Sequence, residues 1–540
     1  MKFSELSRVY DRLARAENES KRTKILSELF QAADKQTLGA IAHFTLGEVV
    51  EPQYSENLGI GPATIRSALS ELSKKSIDEI DAEVRESGDI SSVVASARFK
   101  RTDDLTVVDL WRRVKRTVLK GEDRLKLVNY IFTHVSSEGA KYFTRMVLNQ
   151  MRINVGLGTL IRALSTAFKV EAVAIERAYA LSNDIGFVAA SARQGKKALE
   201  RVDLSLFQPY QFMNAHRVEN AAEIFNEFSG KKVAFEVKYD GARLQIHIER
   251  NRTTEVKFYS RRLNDDTTSL QDIATALSKA WQGGDAILEG EAVAFDPTLK
   301  KKQPFQAVLM RLGRVRNIEE TSRKIPLVLY LFELVYHNGQ NLMNKSQAER
   351  REMLKLLVRE TERVKLTNQL VTDKRSTAMK FFEQAIKVGH EGLMAKDMDA
   401  PYVPGQRTDN WLKLKPAYET LDVVVVGGVW GTGRRRGLLS SLLIAVRDKS
   451  DFKTVGKVGA GLSEKTLSEI TEKLKPKIIA TRGQTVEIEP DMVIEVDFQD
   501  IQKTNRYRAG YALRIPRFKR ERTDKSIREA DTLERLKKLY

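Results

Sequence analysis

The stretch EVKYDGARLQIHIER, residues 236–250, places a lysine, an aspartate and a glycine ahead of an alternating run in which Leu244, Ile246 and Ile248 share one face. Period-two alternation predicts a strand from Ala242 onward. Tyr239-Asp240-Gly241 carries turn chemistry, so Lys238 is expected to end one strand of a rigid hairpin, with its ammonium held in place. Taken alone, the simpler reading is a solvent-exposed lysine at a turn, and it is the accompanying residues that raise a chemical role.

Further outward, KVAFEVK, VKFYSRR, AILEGEAVAFD and LVLYLFELVYH read as strands, with a helix over 346–360 among them. They define an α+β domain over 206–416. Upstream, LVNYIFTHVSSEGAKYFTRMVLNQMRINVGLG (127–158) keeps apolar residues at helical spacing, and residues 1–205 are read as an all-α domain. Downstream, LDVVVVGGVW, SSLLIAVRD and MVIEVDFQDIQ are short strands broken by glycine-rich turns. They predict a β-barrel of the OB type over 417–540, with a charged C-terminal helix.

Charge narrows the choice of partner. The chain of 540 residues carries a formal net charge of +19, and residues 501–540 alone hold 13 basic against 5 acidic residues. So large an excess attracts polyanions, nucleic acid first among them. The absence of cysteine excludes disulfides, thiolate metal sites and cysteine nucleophiles. No run reaches about 18 consecutive apolar residues and no signal-peptide core opens the chain, so a cytoplasmic protein without a membrane span is expected.

A lysine can act as a nucleophile only through its uncharged amine, and its ordinary pKa is about 10.4, so nearby cations must favour deprotonation. Arg243, Lys413 and Lys415 are candidates, the two lysines lying on one face of WLKLK while Leu412 and Leu414 take the other. The same cations suit a phosphate chain. Glu289 and Glu291 are two apart in ILEGEAV, and Glu291 with Glu391 offers oxygen ligands for magnesium. Phosphoryl or nucleotidyl transfer fits this set.

Taken in order, EVKYDGAR, YSRRL, ILEGEAV, LYLFELVYHNG, HEGLMAK, WLKLKPAY and LRIPRFKRERTDK resemble the motif series of ATP-dependent DNA ligases of the archaeal and eukaryotic replicative type. VLNQMRINVGLGTLIRAL resembles their helical DNA-binding domain. The resemblance implies that Lys238 is the adenylated nucleophile, with Glu236, Arg243, Arg261, Glu291, Phe332, Arg407, Lys413 and Lys415 around the nucleotide. It also implies Glu291 and Glu391 as metal ligands, with Phe332 stacking on adenine. Arg514, Arg517, Arg520, Asp524 and Lys525 of the last motif would orient pyrophosphate. ATP, Mg²⁺ (Mn²⁺ as an alternative) and nicked double-stranded DNA are the implied cofactors and substrate, acted on by a monomer.

Two departures stand out. Phe332-Glu333 replaces the Phe-Asp of many relatives, and WGTGRRRG (430–437) is unusually rich in arginine. Burial of Phe332 as a core aromatic is the simpler alternative to stacking, because its strand is apolar on both faces. An RNA ligase or capping guanylyltransferase would share the lysine and the barrel, but the helical domain and the last motif argue against them. An NAD-dependent ligase would need cysteines for its zinc module. A catalytically dead nucleic-acid scaffold is the rival from another class. A sliding clamp as further partner, and ATP against ADP or GTP, stay open at this level.

Overall fold

The computed structural model describes residues 1–250, 253–296, 301–303, 305–416, 419–431, 435 and 437–540. Of the arginine-rich stretch, Thr432, Gly433, Arg434 and Arg436 lie outside the described residues. Two compact units result, Met1–Lys415 and Pro416–Tyr540.

The first unit begins with helices whose starts are set by side chains that satisfy the exposed N–H groups of the first turn. Asn18, Asp89, Thr106, Asp123, Ser136 and Asp184 all cap in this way, and Ser76 forms a reciprocal capping box with Glu79. The long apolar run of 127–158 is therefore cut into Arg124–His134 and Ser137–Val147. The last helix of the region is Lys196–Glu200.

Twelve strands follow among the described residues. They are β1 (Asn214–Val218), β2 (Val233–Lys238), β3 (Ala242–Arg250), β4 (Thr254–Tyr259), β5 (Ala286–Asp296), β6 (Lys301–Lys302), β7 (Leu327–His337), β8 (Gln340–Asn341), β9 (Val364–Leu366), β10 (Gln369–Thr372), β11 (Gly392–Asp397) and β12 (Arg407–Leu414). One sheet runs β1-β12-β11-β2-β10. The other runs β4-β3-β5-β7-β8, with β6 on β5 and β9 on β7.

This topology corrects the expected hairpin at Lys238. β2 and β3 belong to different sheets, so Tyr239-Asp240-Gly241 hands the chain from one sheet to the other. The second face of β3 is also not solvated. Leu244, Ile246 and Ile248 enter the core of their sheet, while Gln245 and His247 are fully buried beneath residues 207–210. Polar residues can sit there because Phe207 N–H donates to His247 Nδ1 at 2.9 Å and Tyr210 N–H to Gln245 Oε1 at 3.0 Å.

The helical core does not stop at the helices. It is continuous with Ile287, Val335, Met343, Tyr402 and Trp411 of the sheet-forming region.

The second unit holds β13 (Thr420–Trp430), β14 (Leu439–Asp448), β15 (Asp451–Val458), β16 (Ile478–Arg482), β17 (Thr485–Ile488), β18 (Val493–Asp497), β19 (Asp500–Lys503), β20 (Tyr511–Arg514) and β21 (Arg517–Glu521). β13 pairs with β14 along one edge and with β18 and then β17 along the other. The register slips beside Gly427, where a Cβ would lie 2.7 Å from the Val486 carbonyl oxygen, so glycine lets the strand bend between its partners. Helix Glu464–Leu474 supplies Leu467, Ile470 and Leu474 to the barrel core, and the C-terminal helix Leu533–Leu539 adds Leu536. This is the OB fold the strand pattern predicts.

One buried charge ties the helices together. His43 donates from both ring nitrogens, Nδ1 to Glu48 at 2.7 Å and Nε2 to Asp184 at 3.0 Å, and stacks on Trp111. Burial opposes its protonation, but the carboxylates of Asp184 and Glu48 outweigh it and raise the pKa to about 9. The stabilisation is therefore complete below the unfolded pKa of about 6.5 and is lost as pH rises through about 9. In urea unfolding, His43→Gln should be less stable than the wild-type chain by about 3 kcal/mol more at pH 6 than at pH 10. A gap independent of pH would contradict the charged state.

Candidate active site

Lys238 ends β2 opposite Gly392, the first residue of β11. Its Nζ is ion-paired with Glu391, whose other carboxylate oxygen takes Lys415. The Glu391 N–H also donates to the Lys238 carbonyl at 2.9 Å, so backbone and side chain both fix the acid beside the lysine. Glycine is required at both ends of this contact. A Cβ on Gly392, whose φ is +143°, would lie 2.1 Å from the Leu414 carbonyl oxygen, and one on Gly241 would lie 2.4 Å from that of Ala292.

Cations gather on the same side. On β12, Leu412 and Leu414 are buried and Lys413 takes the opposite face with Lys415. Burial and then the charges of Arg407, Lys415, Lys238 and Arg261 pull Lys413 down to about 8. The crowding expected around Lys238 thus acts on Lys413, while Lys238 has a carboxylate partner. Arg261 is exposed and donates to Asn214 Oδ1 at 3.2 Å.

Two carboxylates at this site behave in opposite ways. Burial tends to raise the pKa of Glu391, but Lys238 and Lys415 outweigh it and hold the acid below its ordinary range. Burial pushes Glu291 up to about 7 despite Lys238 and Arg243, with Glu391 and Asp240 adding repulsion. No preassembled group of three or more His, Asp or Glu occurs among the described residues. Glu291 and Glu391 nevertheless fit magnesium, which is commonly held by one or two carboxylates with phosphate and water completing its shell. Glu391 would have to exchange ammonium groups for the metal.

The wall beside the lysine is built by a slip in pairing. On β7, Leu331 pairs with Gly290 and Glu333 with Glu289, leaving Phe332 as the extra residue of a bulge. The bulge reverses the alternation, so Leu331 and Leu334 enter one core while half-buried Phe332 packs on the other side against Trp411, ring centroids 6.2 Å apart. Lys396, buried on β11, donates to the Phe332 carbonyl at 3.2 Å, pairs with Glu236 at 2.8 Å and lies 4.5 Å from the Trp411 ring centroid.

Three buried acids in this wall each hold a cation. Glu236 takes Lys396 and accepts from Gln369, Glu289 takes Arg243 at 2.7 Å, and Glu333 takes Arg350 through two bonds of 2.9 and 3.1 Å. Glu333, the departure from Phe-Asp, is thus the residue that holds Arg350. The guanidinium of Arg243 also lies over the rings of Phe212, Phe332 and Trp411.

Lys238, Arg261, Glu291, Glu391, Arg407, Lys413 and Lys415 thus form one charged cluster, with Phe332, Glu236 and Arg243 in the adjoining wall. The last-motif residues belong to the second unit. There Lys525 donates to Asp422 at 2.6 Å, Arg522 grips both Asp422 and Asp524, and Arg520 takes Glu495. Arg517 is exposed on β21, and Arg514 ends β20. Lys396, Trp411 and the Arg522–Asp422 pair carry no signal of their own in the sequence, whereas Glu289 stands beside Glu291 in ILEGEAV. Lys396 and Trp411 stand in motif segments, but nothing in their spacing reveals that they meet.

A lysine where the chain crosses between two mixed sheets, faced by phosphate-suited cations and joined in sequence to an OB fold, is the arrangement of a nucleotidyltransferase. Three family models match the chain: DNA ligase N terminus over residues 2–165, ATP dependent DNA ligase domain over 212–415, and ATP dependent DNA ligase C terminal region over 435–525. The DNA ligase of Thermococcus onnurineus is 40% identical over 100% of this chain and 98% of its own length, and that of Archaeoglobus fulgidus 37% over the same shares. A solved structure described as Pmar-Lig_Pre. shares the fold, with a TM-score of 0.58 at 18% identity, covering 96% of this chain and 99% of its own. The chain belongs to the ATP-dependent DNA ligases, enzymes that form phosphodiester bonds. No helix among the described residues is long and apolar enough to cross a membrane.

The raised pKa of Glu291 gives a stability test. A carboxyl raised from about 4.5 to about 7 favours the folded state fully below 4.5, and that contribution is lost as pH rises through 7. Glu291→Gln removes the charge that must be buried above that range. Its stability relative to the wild-type chain should therefore improve steadily between pH 4.5 and 7 in urea unfolding, and a flat difference would contradict the burial argument.

Proposed function

We propose that this ligase seals nicks in duplex DNA through AMP carried on Lys238. The carrying observation is the placement of Lys238 and Lys415 on the two oxygens of Glu391, within the field of Arg261, Arg407 and Lys413. The lysine is held at the sheet junction while the surrounding charge is suited to a triphosphate. Phe332, on the side of its strand opposite Leu329 and Leu331, offers a face for adenine.

In the first step the Lys238 ammonium loses a proton, and its nitrogen attacks the α-phosphorus of ATP. A P–N bond forms, the P–O bond to pyrophosphate breaks, and pyrophosphate leaves with the electron pair. Lys413, Lys415 and Arg407 stabilise the negative charge that builds on the phosphate oxygens. Magnesium held at Glu291 and Glu391 would supply further neutralisation of that charge. An oxygen of the nick 5′-phosphate then attacks the AMP phosphorus, breaking the P–N bond and returning the amine. Finally the 3′-hydroxyl attacks the activated 5′-phosphate and AMP departs with the bridging oxygen.

The reading divides the chain as the sequence suggested. Residues 1–205 grip DNA, 206–416 carry the lysine, and 417–540 bring Arg514, Arg517, Arg520, Asp524 and Lys525 to the leaving pyrophosphate. The concentration of basic residues in 501–540 supports that last role. The working form is taken as a cytoplasmic monomer.

Incubation with α-labelled ATP tests the central step. Lys238→Ala should carry no label, a loss beyond about 10³-fold, yet still join a nick that already bears 5′-AMP, because that step needs no lysine adduct. Full labelling of the variant would refute the assignment.

A further inference from the structure

Residues 203–213 lie outside the motif series, yet they bind both the helical region and the nucleotide wall. Toward the helices, Gln211 N–H donates to the Ala180 carbonyl at 2.7 Å and the Gln208 side chain to that of Ser182 at 2.6 Å. Toward the wall, Tyr210 is clamped through its backbone by Gln245, which accepts from its N–H and donates to its carbonyl, each at 3.0 Å. Its hydroxyl then reaches the fully buried Glu289.

Glu289 gathers three donors. Tyr210 and Tyr402 share Oε1, the Tyr402 contact measuring 2.5 Å, and Arg243 holds Oε2. The segment closes the circuit through Met213, whose N–H donates to the Tyr402 hydroxyl at 2.8 Å and whose carbonyl accepts from Arg243 at 2.9 Å. The Arg243 guanidinium is thus held over Phe332 and Trp411 by Glu289 and the Met213 carbonyl, with the Tyr402 hydroxyl 3.5 Å away, and the two tyrosine hydroxyls hold Glu289 in turn. A buried carboxylate deprived of a donor draws harder on those left to it, and the planar guanidinium answers by turning.

We infer that Tyr210 and Tyr402 are positioning residues for the nucleotide: through Glu289 they set the orientation of Arg243 and hence the shape of the Phe332–Trp411 wall. The inference rests on the reading of Lys238 as the adenylated residue. It also assigns the 203–213 strap a task beyond linkage, since a shift of the helices would reach the nucleotide wall through Tyr210.

The test uses the full chain with Tyr210→Phe, which keeps the ring and removes one hydroxyl. The KM for ATP in self-adenylation should rise about tenfold, as expected for a lost hydrogen bond to a buried charge, while kcat for self-adenylation at saturating ATP changes far less. Tyr402→Phe should shift the same parameter, and the double variant should fall short of the product of the two, because both act through one carboxylate. Should Tyr210→Phe fail to fold, Tyr402→Phe carries the test alone. An unchanged KM for ATP, or a fall in kcat as large as the rise in KM, would overturn the positioning role. Absence of label on the wild-type chain would instead overturn the Lys238 reading, and this inference with it.

Discussion

Everything in the charged cluster depends on a close backbone approach within each of two sheets, at the point where the chain crosses from one to the other. Gly241 and Gly392 stand where any side chain would run into a carbonyl oxygen of the neighbouring strand, at Ala292 and Leu414 respectively. Their bareness lets β2 pass beside β11 and turn at once into the other sheet, and Lys238 is the last residue before the crossing. The lysine owes its fixed position to this close approach. A hairpin would have left it on one sheet, away from the acids and rings contributed by the second.

Around that point the charges divide into two populations. Glu236, Glu289 and Glu333 are buried with dedicated cations, and removing either member of such a pair leaves a charge stranded where water cannot reach it, a cost of about 3–5 kcal/mol. These pairs act as rivets that hold the wall in one arrangement. Glu291 and Glu391, by contrast, share their cations and repel each other. Such a balance is readily altered by a polyphosphate or a metal ion, which suits groups that must change partners during a reaction.

Much of this was legible from sequence because its signal is local. The alternation in ARLQIHIER gives β3, and the Leu-Lys-Leu-Lys pattern separates the core face of β12 from its charged face. The sheet to which a strand belongs is not local. Turn residues at 239–241 suit a hairpin and a crossing equally well, and only the pairing of β2 with β10 and β11 decides between them. The bulge at Phe332 was hidden for the same reason, because a slip in register shows only against the partner strand and LVLYLFELVYH is apolar in either phase. Lys396, Tyr210 and Tyr402 look ordinary in sequence, since their significance lies in burial against acids 160, 79 and 113 positions away.

The apolar core shared between the helices and the sheets carries a lesson for dissection. Ile287, Val335, Met343 and Trp411 are buried in one continuous apolar cluster with helical residues. A protein cut near residue 205 would present that surface to water as an adhesive patch, inviting self-association. The helical region is therefore less a detachable accessory than part of a single folding block, and its evolutionary exchange for another module would require resurfacing the partner at the same time.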